Sequence, residues 1–195
     1  MDKVELTGNS LIQLTKDIAP FDVEKVEFWD WSGVDIQKES QGITRESDSI
    51  QRRVIEQLNQ RPFDIIFDDD DSGEAADVVT IRDTDTAIEI EFYHCKFSGK
   101  PKVGHRIKDL YEVCGQAQKS IRWMEKPYDL FTHLLRREPR QRSGRERSRI
   151  EKGSLEDLRQ LREKSRRVRV HLSVFIVQPG VSKGASRNYF PIFGV

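Results

Sequence analysis

The sequence predicts an α/β fold in which a mixed β-sheet is flanked by helices. Three observations support this prediction. A helical pattern precedes three short apolar segments that are joined by tight turns, as in an antiparallel meander. A long amphipathic segment and a strongly charged helical segment then follow. A last apolar segment, at residues 168–180, can return to the sheet as a parallel strand after this helical crossover.

The first helix is predicted over residues 48–60, with Asp48 or Ser47 available as its N-cap. It ends before Pro62, because proline disfavours helical geometry in the residue that precedes it. Its apolar positions lie on one side of the helix: Ile50, Val54, Ile55 and Leu58.

Three strands are predicted next, at residues 63–68, 75–82 and 87–96. The turns between them, DDDDSGE and RDTDT, are rich in the polar residues that favour turns. A helix follows, with one continuous apolar stripe of about six turns. The stripe consists of Val103, Ile107, Leu110, Cys114, Ala117, Ile121 and Met124. A charged helix is predicted from Ser154 to Arg167, before the last strand.

The length of 195 residues predicts one domain with additional segments at its ends. Residues 1–45 are interpreted as an N-terminal extension that packs on the core. Residues 46–180 form the main domain, with a basic insertion at about 136–153. Residues 181–195 are a C-terminal tail, whose short length is consistent with truncation of something longer.

Composition favours a cytoplasmic protein. No apolar run approaches the ~18 residues of a membrane span, and the N-terminus lacks the apolar core of a signal peptide. Only two cysteines occur, Cys95 and Cys114, which favours a reduced environment. Together with His94 and His105, these cysteines do not follow the compact spacing of zinc ligands.

The chain has no net charge, but its two halves are oppositely charged. Residues 1–95 contain 9 basic and 23 acidic side chains, a net charge of −14, and residues 96–195 contain 24 and 10, a net charge of +14. This asymmetry indicates a polyanionic partner for the basic half, and arginine suits forked contacts with phosphate oxygens. The alternative is a solvated, mobile loop neutralised by the acidic half. The densest part contains Arg136, Arg137, Arg140, Arg142, Arg145, Arg147 and Arg149.

An acidic residue and a lysine occupy neighbouring predicted strands. Asp77 lies within the second strand, and Lys96 ends the third. This arrangement suits metal-assisted phosphodiester hydrolysis, in which a carboxylate holds a divalent cation and a lysine stabilises charge or poises the attacking water.

The sequence resembles the PD-(D/E)xK, or restriction-endonuclease-like, nuclease superfamily. Asp77 in GEAADVV matches its first acid and Lys96 in YHCK its lysine, on elements in the order helix, three-strand meander, helix, strand. The strings WSGVDIQKESQGITRESDSIQ, FDDDDSGEAADVV, FYHCKFS and DLYEVCGQAQKS resemble a subgroup associated with bacterial superfamily-2 helicases of phage defence. The resemblance spans residues 29–180.

The resemblance implies a restriction-endonuclease-like core and a DNA nuclease that depends on Mg²⁺ or Mn²⁺. An endonuclease is expected rather than an exonuclease, with a role in prokaryotic defence against foreign DNA. It also implies a helicase or ATPase as a partner or fused domain. A dimer is compatible with the sequence, which does not determine the oligomeric state.

The chain departs from the family pattern two positions before the lysine, where an acid is expected and His94 is found. On a strand His94 and Lys96 share one side, whereas Glu89 and Glu91 point to the other. Three replacements for the acid are open. His94 can ligate the metal through its neutral imidazole, Glu74 can supply a carboxylate, or a ligand can come from the first helix.

Two glutamines are further candidates for the site. Gln51 lies close to the apolar face of the first helix, where several families of this fold place an acid. It can equally be a glutamine at the rim of a packed face. On the long helix, Gln118 lies on a polar flank beside the stripe and is a better candidate than Gln116.

The working hypothesis places the cation on Asp77, on Glu74 or His94, and on the main-chain carbonyl of Cys95. The cation polarises the scissile phosphate and acidifies a water. Lys96 is directed at that water, and proximity to the metal keeps its pKa down.

The same hypothesis assigns DNA-backbone contacts to Arg52, Arg106 and the arginines from 136 to 149. Such contacts give affinity without sequence information. The rival hypothesis is a nuclease fold that has lost hydrolysis with the substitution at His94. Such a protein would keep DNA or partner binding within a larger helicase–nuclease system.

Overall fold

The computed structural model describes residues 4–7, 10–13, 25–100, 107–138 and 147–180. The chain divides into two compact units, one formed by residues 1–29 and 182–195 and the other by residues 30–181. In the first unit, strands β1 (Val4–Thr7) and β2 (Ser10–Gln13) pair antiparallel. Residues 30–45, predicted to be part of an extension, belong to the larger unit.

The larger unit is built on a five-stranded mixed sheet. Its strands are β3 (Ile65–Asp68), β4 (Val78–Asp83), β5 (Ala87–Cys95), β6 (Ile150–Lys152) and β7 (Arg169–Val177), in the order β6-β3-β4-β5-β7. All pairs are antiparallel except β5 and β7, which pair in parallel. The predictions of an α/β fold, of a three-strand meander and of a later parallel strand are confirmed.

Four α-helices accompany this sheet in the described residues. They are α1 (Ile50–Asn59), α2 (Ile107–Ser120), α3 (Pro127–Arg137) and α4 (Leu155–Lys164), and a 3₁₀ helix (Ile121–Glu125) separates α2 from α3. Both α1 and α4 begin at a serine cap whose hydroxyl accepts a backbone N–H, Ser49 and Ser154 respectively. The cap of α1 is therefore Ser49 rather than the predicted Asp48 or Ser47.

The sheet carries helices on both faces. One face is covered by α3 and α4, whose buried leucines join alternate residues of β3, β4 and β5 in a single hydrophobic cluster. Helix α1 contacts β3 and β4 with side chains outside that cluster, which places α1 against the opposite face. The apolar side chains predicted for α1 are fully buried: Ile50, Val54, Ile55 and Leu58. Within the described ranges, no helix is long and apolar enough to cross a membrane.

The predicted long apolar stripe is interrupted after Ser120, where α2 changes into the 3₁₀ helix. A 3₁₀ helix has 3.0 residues per turn, so side chains spaced for an α-helix rotate away from the core. As a result Ile121 and Met124 are 50% and 54% exposed. The first stripe residue, Val103, lies outside the described residues. On the part of α2 and its end whose side chains are described, the buried residues are Val113, Ala117 and Ser120.

Two elements of the larger unit were not predicted. Helix α3 occupies residues 127–137, with proline at its first turn and a buried apolar side. Strand β6 lies within the predicted basic insertion at 136–153 and pairs with β3. The end of that insertion is therefore part of the sheet.

Candidate metal centre

Asp77 and Lys96 lie at the same end of the sheet, as the sequence predicts. Asp77 directly precedes β4 and Lys96 directly follows β5. The two strands run antiparallel with Val78 opposite Tyr93, so the ladder places the residues that flank this pair close together. Consistent with this register, the backbone N–H of Cys95 donates a 2.9 Å hydrogen bond to Oδ2 of Asp77.

Three carboxylates converge on the loop between β3 and β4. Asp70, Glu74 and Asp77 each offer an oxygen, and these oxygens lie within 4.8 Å of one another. Oxygen donors of this kind are the ligands preferred by Mg²⁺ and Mn²⁺. Glu74 was a predicted alternative for the missing acid. Asp70 was not predicted, because it lies in a run of four aspartates that is typical of a solvated turn.

The electrostatics of this cluster favour a cation. Burial raises the pKa of Asp77 well above its usual value, and the neighbouring charge of Glu74 adds to the effect. Burial also raises the pKa of Glu74, with smaller contributions from Asp70 and Asp69. The ionised carboxylates are therefore held in a poorly solvated, mutually repulsive arrangement that a divalent cation would relieve. The donor set and its charge fit such an ion.

His94 lies behind Asp77 rather than among the three converging oxygens. Its side chain is 2% exposed, and its Nδ1 is 3.8 Å from Oδ2 of Asp77. On the other side of the ring, Nε2 is 2.9 Å from the Ser120 hydroxyl, which donates its own hydrogen to the Ala75 carbonyl at 2.6 Å. Nε2 is therefore the protonated nitrogen, and the Nδ1 lone pair faces the carboxylate.

Burial lowers the pKa of His94 to about 4, so its imidazole is neutral at neutral pH. Within the described residues Nδ1 has no hydrogen-bond partner. A lone pair that faces a carboxylate favours a shared proton or a cation between the two. His94 thus lies beside the predicted centre, as a neighbour of Asp77, and Asp70 belongs to the acidic cluster instead.

Lys96 is held by two carboxylates from other segments. Its Nζ is 2.8 Å from Glu112 on α2 and 3.6 Å from Glu39, which lies before α1. Burial by itself would lower the pKa of Lys96, but the contacts with Glu112 and Glu39 outweigh it and raise the pKa. The expectation that a nearby cation keeps this pKa down stays a prediction.

Glu39 was not predicted as a site residue. Its carboxylate accepts a 2.9 Å hydrogen bond from the N–H of Phe97, and its charge contributes to the raised pKa of Asp77. The next residue, Ser40, donates a hydrogen bond from its hydroxyl to Asp70. The segment before α1 therefore lines the centre. No sequence signal marked it, because Glu39 is distant in sequence from both strands.

Gln51 supports the centre through hydrogen bonds and is 1% exposed. Its Nε2 donates to Oδ1 of Asp68 at 2.9 Å and to the main-chain oxygen of Asp77 at 3.2 Å, while its Oε1 accepts from the N–H of Gln41 at 2.9 Å. This side chain ties α1 to the ends of β3 and β4. Its polar groups are used in positioning the loop, and Gln51 is not part of the cluster of Asp70, Glu74 and Asp77.

Two arginines predicted to contact DNA instead hold the β3–β4 loop from inside. Arg137 is 2% exposed, forms an ion pair with Asp69, and donates to the carbonyl of Ser72 at 2.9 Å. Arg149 is 4% exposed and donates to the carbonyls of Asp68 and Asp70 at 3.1 and 3.0 Å. These guanidinium groups are enclosed by protein, which corrects the expectation that they face a nucleic acid.

The remaining predicted DNA contacts are distributed unevenly. Arg52 and Arg147 both form ion pairs with Glu151, at 3.4 and 3.1 Å, and this engages part of their charge within the protein. Arg136 is exposed on α3. The other four predicted contacts lie outside the described residues: Arg106, Arg140, Arg142 and Arg145.

The two glutamines of α2 differ in burial, and the choice of Gln118 over Gln116 as a site candidate stays a prediction. Gln118 is exposed, whereas Gln116 is partly buried, and its Oε1 has no hydrogen-bond partner among the described residues. The face assignment on β5 agrees with the sequence, because Glu89 pairs with Arg82 and Glu91 accepts a hydrogen bond from Tyr93. Neither glutamate belongs to the acidic cluster.

Comparisons of the sequence and the structure with known proteins find no relative. The sequence matches no family model and no curated protein, and the structure matches no solved structure.

Proposed function

We propose that this protein is a DNA nuclease that depends on a divalent metal. The observation that carries the proposal is the convergence of Asp70, Glu74 and Asp77 at the sheet end from which Lys96 projects. Oxygen ligands and a lysine at adjacent strand ends are the components that metal-assisted phosphodiester hydrolysis requires.

The restriction-endonuclease-like core is part of the same proposal. It is supported by the order of elements in the larger unit, in which α1 precedes the meander β3–β4–β5, and α2 precedes the parallel strand β7. It is also supported by the position of Asp77 at the start of β4 and of Lys96 at the end of β5. The resemblance of the sequence to the superfamily adds a DNA substrate, a role in phage defence and a helicase partner.

The three carboxylates hold Mg²⁺ or Mn²⁺ in this proposal. The bound ion supplies positive charge that polarises a phosphate and lowers the pKa of a water. Cys95 fixes the carboxylate of Asp77 through its backbone N–H, and one Asp77 oxygen lies within 4.8 Å of oxygens of Asp70 and Glu74. Gln51 holds the main chain at Asp77 and thereby the start of the loop.

Lys96 acts as a cation in this site. Its contacts with Glu112 and Glu39 raise its pKa, so its ammonium group is charged at neutral pH. A charged lysine stabilises negative charge on a phosphate and does not serve as a general base in that state. The geometry therefore favours charge stabilisation over the activation of water among the two roles that the sequence allows.

Cleavage of DNA with and without metal tests the proposal. Plasmid and linear DNA are incubated with Mg²⁺, Mn²⁺ or EDTA, using the wild type, Asp77→Ala, Lys96→Ala and the exposed control Asp85→Ala. We expect cleavage only with metal, a loss of at least about a hundredfold in the first two variants, and wild-type rates in the control. Wild-type cleavage by Asp77→Ala would contradict the assignment.

The alternative is a degenerate nuclease fold that binds DNA or a protein partner without hydrolysis. It is favoured by one observation, the presence of a neutral, buried His94 where the family pattern has an acid. In the same assay such a protein would leave DNA intact under every metal condition.

A further inference from the structure

A second candidate site lies on the helical layer and is distinct from the acidic cluster. A cleft of about 710 Å³ is lined by the 3₁₀ helix and by one side of α3. This volume is within the range of sites that hold small molecules, which is ~300–1,000 Å³. The residues of α3 that line it recur at helical spacing: Asp129, Thr132, His133, Arg136 and Arg137.

The cleft is lined by three cationic side chains that form no ion pair within the described residues. Arg122, Lys126 and Arg136 are exposed, and none forms an ion pair within the described residues. Arg137, at the same cleft, is already paired with Asp69. Two carboxylates, from Glu125 and Asp129, also line the cleft, so the three available cations are in excess. Unpaired arginines at a concave surface favour an anion with several oxygens.

The start of α3 adds a second source of positive potential. Pro127 occupies the first turn, and the N-cap residue Lys126 makes no side-chain capping hydrogen bond. The first backbone N–H groups of this 11-residue helix therefore lack a side-chain acceptor, and the helix dipole places positive charge there. Lys126 and Asp129, from this end of the helix, both line the cleft.

Two aromatic side chains, Trp123 and His133, also line the cleft. The Trp123 ring is 5.0 Å from the His133 ring, and the guanidinium carbon of Arg122 lies 5.0 Å from the centre of the Trp123 ring. Nε1 of Trp123 is buried and has no hydrogen-bond partner within the described residues, whereas Nε2 of His133 lies 3.5 Å from Oδ2 of Asp69. Buried polar atoms are rarely left unpaired, so Nε1 of Trp123 calls for a partner that the described protein does not supply.

We infer that this cleft binds a phosphate-bearing ligand of nucleotide size. The phosphate lies at the uncapped start of α3, among Arg122, Lys126 and Arg136. The remainder of the ligand lies against the ring of Trp123. A free nucleotide and the phosphorylated end of a nucleic acid share this chemistry. The inference does not depend on the metal centre or on hydrolysis.

Tryptophan fluorescence tests the inference directly. Trp29→Phe/Trp31→Phe protein retains Trp123 as its one tryptophan, and it is titrated in EDTA with inorganic phosphate, dAMP and a 5′-phosphorylated oligonucleotide. In this background, Arg122→Gln/Arg136→Gln removes two cations from exposed positions. Arg159→Gln, at an exposed position of α4 and outside the cleft, is the matched control, and circular dichroism checks the fold of each variant.

We expect dAMP or the oligonucleotide to bind at least tenfold more weakly to the double variant and with unchanged affinity to the control. Tighter binding of dAMP identifies a free nucleotide, and tighter binding of the oligonucleotide identifies a nucleic-acid end. Equal binding by the double variant and the wild-type cleft, or no binding of any probe, overturns the inference. Asp77→Asn separates the two sites, since it should leave this binding unchanged even though it removes the metal centre. A loss of binding in Asp77→Asn would also overturn it.

Discussion

Arg136 and Arg137 are neighbours on α3 and both line the cleft, but their electrostatic surroundings differ. Arg137 is enclosed beneath the β3–β4 loop, where it pairs with Asp69 and binds loop carbonyls. Arg136 faces the cleft and has no ionic partner in the described part of the chain. The first arginine holds the protein together, and the second is available to a ligand.

This difference shows how much of the charge asymmetry is used internally. The basic half contributes Arg137 and Arg149 to the acidic loop of the other half, where both are buried. A charge count alone assigns such residues to an external polyanion. The burial of each side chain decides which cations remain available to an external polyanion. The following predictions test this division between buried and available cations.

The largest effect is expected from Arg137→Ala. Removal of one partner from a buried ion pair leaves an uncompensated charge on Asp69 and typically costs about 3–5 kcal/mol in the free energy of unfolding. The matched variant Arg136→Ala should change it by less than about 0.5 kcal/mol. Urea denaturation of both proteins measures the difference, and equal stabilities would show that Arg137 does not anchor the loop.

A smaller effect, with a defined pH dependence, is expected from Asp77→Asn without metal. Because burial, followed by the charge of Glu74, raises the pKa of Asp77, the carboxyl contributes stability at low pH that is lost as the pH rises through its folded-state pKa. The asparagine variant lacks this loss and still offers an oxygen to the N–H of Cys95. It should be more stable than the wild type at pH 7 and equally stable below about pH 4.

Urea denaturation in EDTA between pH 3 and pH 8 measures this effect. Asp85→Asn, in the exposed turn between β4 and β5, provides the control and should follow the wild-type curve. If Asp77→Asn is less stable than the wild type at pH 7, contacts within the protein stabilise the Asp77 carboxylate, contrary to this prediction.

The exposed arginine should influence DNA affinity by a modest amount. If Arg136 contacts one duplex phosphate, Arg136→Gln should reduce the slope of log K against log salt by about 0.9. Binding should weaken almost equally on different sequences, because a backbone contact carries no sequence information. Fluorescence anisotropy over a range of salt concentrations measures the slope, and an unchanged slope would remove Arg136 from the DNA surface.

The smallest effect is expected from Glu112→Gln. Glu112 is 52% exposed in its pair with Lys96, and exposed ion pairs contribute only about 0–1 kcal/mol. The substitution should lower the pKa of Lys96, because a contact that raises it is removed. The stability that this raised pKa provides is present below the usual pKa of lysine and is lost as the pH rises through the folded-state value. NMR titration of the Lys96 side chain measures the shift, and Glu125→Gln serves as an exposed control.

The three meander strands and the last strand could be predicted, whereas β6 could not, because short apolar segments between acidic turns leave few alternatives for the meander. The positions of Asp77 and Lys96 followed from this order. The antiparallel ladder then brings the ends of β4 and β5 together without any further information.

Other parts of the site depend on contacts between distant segments. Glu39 reaches Lys96 across more than fifty residues, and Asp70 is distinguished from its neighbouring aspartates only by the conformation of the loop. The end of α2 was also unpredictable, because a change from α to 3₁₀ geometry leaves no mark in an apolar stripe. These features are decided by tertiary packing.

Calorimetric titration of Mn²⁺ into the metal-free protein tests the central claim most directly. The wild type and Asp85→Asn should each bind Mn²⁺ at the cluster of Asp70, Glu74 and Asp77, and Asp77→Asn should lose that binding. Binding of Mn²⁺ by Asp77→Asn with wild-type affinity would contradict the account, because the ion would then lie elsewhere and the acidic cluster would not be a metal centre.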